Sequence, residues 1–173
     1  MNSFTLIGHI SNFTSAGFLL YSPTSVSITN VVLESVSVDD LLSSLDENEL
    51  ELLLSSYGQH GADDSSSSDR EERINELTEL LDPGSDGKVA IFKWSTLEEL
   101  GTVGFYIDRK DADGSRWMRV NSDLLPGLID APLGGEYLYA DPGALPGVDY
   151  LYKLTEQEVW GSQREYGPYP LGY

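Results

Sequence analysis

The sequence predicts a mainly β protein whose body is an antiparallel β-sandwich over residues 88–173. Ahead of it lie a strand-rich N-terminal segment (1–38) and a short acidic, helical and serine-rich linker region (39–87). Three observations predict this. From Lys88 onward apolar residues recur with period two, in short runs broken by Gly, Pro and Asp, the pattern of strands joined by tight turns. All 3 tryptophans and 8 of the 10 tyrosines lie in that half. The charge is also divided: residues 1–87 hold 16 Asp/Glu against Arg70 and Arg73, a net of −14, whereas residues 88–173 carry a net of only −5.

Length and composition bound the possibilities. At 173 residues the chain is one domain with an appendage or two very small ones. The absence of cysteine excludes disulfides, thiolate metal sites and cysteine nucleophiles. A formal charge of −19 argues against nucleic acid, which needs cations to meet its phosphates, and against anionic membranes. No apolar stretch approaches the roughly 20 residues of a membrane span, so no membrane insertion is expected. Residues 1–11 lack the basic start and apolar core of a signal peptide.

The elements follow in order. Within residues 3–13, Phe4, Leu6, Gly8 and Ile10 fall on one face and Thr5, Ile7, His9, Ser11 and Phe13 on the other, a strand signal with apolar groups on both sides. A second extended stretch follows Pro23, with Val26, Ile28, Val36 and Val38 set among serine and threonine around Val31, Val32 and Leu33. Ser37 or Asp39 can then cap a helix rich in leucine (Leu41, Leu42, Leu45, Leu50, Leu52, Leu53, Leu54), with a restart at Asp46. Residues 58–69 read as a polar linker, and residues 69–81 as a helix with Ile74, Leu77, Leu80 and Leu81 at helical spacing and Pro83-Gly84 as its stop. The sandwich strands come next. Ala90, Phe92 and Trp94 share one face, Phe105 and Ile107 another, and Asp111 to Gly114 turn into Trp117 to Asn121. Tyr137 and Tyr139 precede Asp141-Pro142, Gly147 introduces Tyr150, Tyr152 and Leu154, and the last strand lies within 160–166. The expected core is Phe92, Trp94, Phe105, Ile107, Tyr150, Tyr152 and Leu154.

Several of these pieces together form a larger pattern: Phe92-Lys93-Trp94-Ser95-Thr96 with Glu98-Glu99, Val103 to Arg109, Trp117 to Asn121, Tyr137 to Asp141, Gly147, Tyr150 to Leu154, and Tyr166-Gly167-Pro168. In that order and spacing the C-terminal half resembles the fibronectin type III-like modules of bacterial secreted and cell-surface proteins. The resemblance implies a seven-stranded sandwich, an extracellular setting and a non-enzymatic role. It also places Tyr150 at a tyrosine corner, whose hydroxyl ties a loop to the edge of the sandwich.

Such modules begin with a first strand a few residues before the tryptophan-bearing strand. Here residues 75–81 occupy that place, and their composition is acidic and helical. Unless context forces them into a strand, the sheet lacks a border, and an uncovered border invites association. The spare segment 3–13 could fill such a vacancy in a neighbouring copy, head to tail, producing a ring or a helical filament. The candidate assembly residues are therefore Phe4, Leu6, Ile7, Ile10 and Phe13, together with Tyr169 and Tyr173 of the extended aromatic tail. The alternative is that residues 3–13 fold back on their own domain.

Other constellations are thinner. Asp108, Asp111 and Asp113 with Gly114 resemble part of a calcium loop, but the distal glutamate is missing and the register is wrong for a full loop; a hairpin turn explains them with no metal. His9 and His60 lack zinc spacing, no Gly-x-Ser-x-Gly elbow is present, and Glu98-Glu99 are neighbours that face opposite ways. Asn12-Phe13-Thr14 satisfies a glycosylation sequon. Trp160, Tyr166, Tyr169 and Tyr173 could form a glycan-binding face. No cofactor, metal or catalytic residue is expected. The expectation is a structural, self-assembling subunit of an extracellular, cell-surface filament or sheath, joined by strand donation. The alternative is a monomeric adhesion or carbohydrate-binding module.

Overall fold

The computed structural model describes residues 28–57 and 67–171. Strand β1 (Ile28–Ser37) leads into helices α1 (Val38–Ser44), α2 (Glu47–Ser56) and α3 (Ser67–Leu81). The strands β2 (Lys88–Thr96), β3 (Glu99–Leu100), β4 (Thr102–Asp111), β5 (Met118–Arg119), β6 (Leu125–Pro126), β7 (Asp130–Ala131), β8 (Glu136–Asp141), β9 (Tyr150–Glu158) and β10 (Gln163–Leu171) follow. One sheet has the order β1-β2-β8; the other has the order β10-β9-β4-β5, with β6 also on β4; β3 and β7 make a small third. Every pairing is antiparallel, so the chain is mainly β with a sandwich-like arrangement.

The border expected to be vacant beside β2 is occupied by the chain itself. Strand β1 runs antiparallel to β2 from the Ile28–Thr96 pair to the Ser37–Lys88 pair, with an irregularity between Thr29 and Val32. Asn30 takes a positive φ of 51° at that irregularity, a conformation asparagine tolerates better than most residues. Residues 75–81 remain helical, because Leu77 and Leu81 are fully buried on one face of α3. The first strand therefore precedes the helices, and residues 38–87 separate two strands that lie side by side.

Those helices are a layer of the fold. Ser37 caps α1, its hydroxyl accepting from the Asp40 N–H at 3.4 Å. A reciprocal capping box starts α2: Asp46 Oδ1 accepts from the Glu49 N–H at 2.8 Å, and Glu49 Oε2 accepts from the Asp46 N–H at 3.1 Å. Arg70 and Arg73, the cations of the acidic half, both donate to Glu47, and Arg70 also reaches the Leu45 carbonyl, so α3 is tied to α2. After α3, Asp82 accepts from the Asp86 and Gly87 N–H groups and turns the chain into β2. The apolar stripes (Leu41, Leu42, Leu50, Leu53, Leu54, Leu77) form one cluster with Val89, Ile91, Leu138 and Ala140 on the outer face of the β1-β2-β8 sheet. The inner face carries Ala90, Phe92 and Trp94 into a second cluster with the other sheet. The molecule is thus helices on sheet on sheet, with β2 buried on both faces.

Because the outer cluster joins helices to sheet, the two should unfold as one unit. Leu53→Ala is expected to lower stability by about 2–5 kcal/mol. Urea titrations followed by far-ultraviolet circular dichroism and by tryptophan fluorescence should move together; a displaced helical signal with an unmoved tryptophan signal would contradict the layered core.

Candidate functional site

All of the expected core residues lie in the inner cluster: Phe92, Trp94, Phe105, Ile107, Tyr150, Tyr152 and Leu154. Trp94 stacks on Tyr137 at 5.1 Å between centroids, and Phe105 meets both rings edge-on. The Tyr150 hydroxyl accepts from the Leu145 N–H at 3.2 Å and pins the loop before β9.

Polar groups close both ends of this aromatic centre. At one end Arg109 Nη1 donates to Asp141 Oδ2 at 2.6 Å, the Tyr152 hydroxyl donates to the same oxygen at 2.8 Å, and the Gly143 N–H donates to Oδ1 at 3.0 Å. Both charged side chains are about nine-tenths buried. Burial opposes the Arg109 charge, but Asp141 and the Tyr152 hydroxyl outweigh it and hold the guanidinium above its ordinary value. A cavity of about 370 Å³ opens beside the pair, walled by Tyr57, Tyr139, Arg119 and Asn121. Its wall hydroxyls are already engaged, Tyr57 donating to the Ala140 carbonyl and Tyr139 to the Val120 carbonyl.

At the other end Glu99 and Glu156 are fully buried. Glu99 accepts from Thr96 Oγ1 at 2.7 Å, from the Tyr137 hydroxyl and from the Leu128 N–H at 2.8 Å. Glu156 accepts from Thr102 Oγ1 at 2.8 Å and from the Tyr166 hydroxyl at 2.7 Å. Glu158 takes Ser162 Oγ at 2.6 Å and Arg164 at 3.1 Å. Each carboxylate accepts from two or more donors and lies largely out of water, which suits it to holding loops together. From the sequence Glu99 is weighed only as half of the Glu98-Glu99 pair, and Glu156 and Glu158 are passed over. Strand parity is the signal that finds the latter two, since they continue the inward row Tyr150, Tyr152, Leu154.

The remaining sequence candidates are distributed as follows. Asp108 is buried against Thr155 and Arg119, whereas Asp111 and Asp113 are exposed in the turn, and no group of acids or histidines suited to a metal occurs among the described residues. Tyr169 is not at a loose tail: its ring meets Phe92 edge-on at 5.6 Å. Tyr166 also packs on the core, so those two rings do not join Trp160, which is 71% exposed, in a flat sugar platform. Phe4, Leu6, Ile7, Ile10, Phe13 and Tyr173, together with both histidines and the sequon at Asn12, lie outside the described residues.

The sheet borders are the remaining places for recognition. Strand β10 carries Pro168 and Pro170, which have no N–H to offer. Strand β1 is irregular near Asn30. The β8 border is different. Thr96 donates its N–H to the Gly135 carbonyl at 2.8 Å. Antiparallel alternation from that pair turns the backbone groups of Tyr137, Tyr139 and Asp141 toward β2 and those of Glu136, Leu138 and Ala140 outward. The Ala140 carbonyl is taken by Tyr57. Beside Glu136 and Leu138 lies an apolar slot of about 200 Å³ between Leu52 of α2 and the stretch from Leu125 to Leu128.

Two outcomes follow from the buried polar groups. Asp141→Ala leaves the Arg109 charge unpaired and is expected to cost about 3–5 kcal/mol in a denaturant titration. Tyr57, Tyr137, Tyr139, Tyr152 and Tyr166 are all held above the ordinary tyrosine value, by burial first and then by neighbouring acids or, at Tyr57, the ring of Tyr139. An unfolded tyrosine ionises near pH 10, so the stability tied to these rings is intact below about pH 10 and is lost as pH rises beyond it. Denaturation midpoints should fall steeply there, with phenolate absorbance from the buried rings appearing only on unfolding. Comparison with family models, with curated proteins and with solved structures finds no match to this chain.

Proposed function

We propose that this chain is a non-catalytic structural subunit that assembles head to tail through strand donation into an extracellular surface filament or sheath. The observation that carries the reading is the border of β8, whose outward backbone groups at Glu136 and Leu138 meet no further strand among the described residues. An edge of this kind recruits another polypeptide unless it is blocked, and the other long borders are interrupted by proline or by a bulge. The interior acids accept hydrogen bonds from neighbouring side chains and backbone, which supports the non-catalytic reading. The body would be a fibronectin type III-like sandwich. Supporting that finer description are the facing orders β1-β2-β8 and β10-β9-β4-β5 and the Tyr150 corner; the extracellular setting comes with the resemblance.

The vacancy that first suggested donation is filled in cis by β1, so the acceptor moves to the opposite border of the same sheet. A charge of −19 would keep such a polymer dispersed at low salt and make bundling respond to salt and divalent cations. A second reading, a monomeric adhesion or carbohydrate-binding module, draws on Trp160, exposed at the turn between β9 and β10. Negative-stain electron microscopy and light scattering of the whole chain and of residues 15–173 separate the two. Open-ended polymers from the whole chain, abolished by the deletion, are expected. A monodisperse monomer from both proteins would remove the assembly reading and leave the binding module.

A further inference from the structure

We infer that the slot beside β8 is the receptor for residues 4–13 of this chain, laid antiparallel to β8 as a fourth strand of the β1-β2-β8 sheet. This receptor deepens the assembly reading and rests on it only for which copy supplies the segment.

The slot has the form of a strand receptor. Its floor is a backbone edge: Glu136 and Leu138 each turn an N–H and a C=O outward, as the register with β2 requires. Its walls are apolar and differ on the two sides, with Leu52 of α2 on one and Leu125, Pro126 and Leu128 on the other. Leu52 and Leu128 are about half exposed, 50% and 52%, so their covering is incomplete. A strand entering there presents alternate side chains to the two walls. It must therefore be apolar on both faces, unlike an ordinary half-exposed edge strand.

Residues 4–13 meet that requirement: Phe4, Leu6 and Ile10 fall on one face and Ile7 and Phe13 on the other. They also sit in a stretch, residues 1–33, that contains no Asp, Glu, Lys or Arg, in a chain of 29 acids. An uncharged segment enters beside Glu136, the one charged residue lining the slot, without burying a charge or meeting like-charge repulsion. By contrast, α3 is acidic, and the aromatic end of the chain through Leu171 is already paired in β10.

Direction and reach agree as well. Ile28 pairs with Thr96 at the same end of the sheet as Glu136. A segment antiparallel to β8 brings its Phe13 end to that edge. The position beyond β8 is three strand spacings from β1, roughly 14 Å. The 14 residues from Thr14 to Ser27 can extend to roughly 50 Å. The segment therefore reaches the slot of its own copy or that of a neighbour.

The absence of cysteine makes the test clean. E136C is combined in turn with L6C, I7C and I10C in the whole chain, and D113C, in the turn after β4, with the same partners as the control. Air-oxidised samples are read on non-reducing gels. Faster cross-linking to E136C than to D113C is expected for at least one partner. A ladder of multimers places the segment in a neighbour's slot. A compact cross-linked monomer places it in its own slot, which upholds the receptor while removing the polymer. Adding L52D with L128D should slow the reaction roughly tenfold, the factor that about 1.4 kcal/mol of lost contact gives. Circular dichroism should stay unchanged, because both side chains are half exposed. Equal rates at E136C and D113C overturn the inference even if filaments form, and so does a rate indifferent to the two wall substitutions in a protein whose circular dichroism is unchanged.

Discussion

Strand β2 is buried on both faces, and the rest of the architecture is arranged around that constraint. Val89 and Ile91 point into the leucine-rich helical cluster, while Ala90, Phe92 and Trp94 point into the aromatic centre between the sheets. A strand apolar on both sides in an antiparallel sheet needs a layer above it and a layer below. The helices supply the first and the β10-β9-β4-β5 sheet the second. The β1–β2 pairing closes the arrangement, because it fixes both ends of the segment that carries the helices: Ser37 pairs with Lys88, and α1 begins one residue after Ser37.

The helical layer also explains how so acidic a segment stays folded. Its stability does not come from helix propensity or ion pairing, since only Arg70 and Arg73 are present to balance the acids and both pair with the same exposed carboxylate, Glu47. It comes from leucines at helical spacing pressed on a preformed sheet face, with Ser37, Asp46 and Asp82 accepting the backbone donors that the helix ends and turns leave over. The charges then remain on the solvent side.

The interior of the sandwich is apolar only in the middle. Arg109–Asp141 at one end and Glu99, Glu156 and Glu158 at the other are compensated group by group, which makes the loops at the two ends specific in position. The borders of the sheets are uneven: proline guards β10, a bulge distorts β1, and β8, between apolar walls, meets no further strand among the described residues.

By itself the sequence determined the class of the longer elements, though not the two-residue strands β3, β6 and β7. Period-two alternation in Phe92-Lys93-Trp94 and Tyr150-Leu151-Tyr152 demands sheet, the spacing of Ile74, Leu77 and Leu81 demands helix, and Ser37 and Asp46 mark helix starts through their side-chain oxygens. These are local rules, decided by neighbours a few residues away. Only the tertiary structure decided partnership. Nothing near Ile28 in the chain announces that it will lie beside Thr96, because strand pairing has no sequence-local signature and the intervening helices conceal the hairpin. The buried role of Glu99 and the β8 border, which meets no further strand among the described residues, were hidden for the same reason, since burial and pairing depend on what the rest of the fold brings alongside.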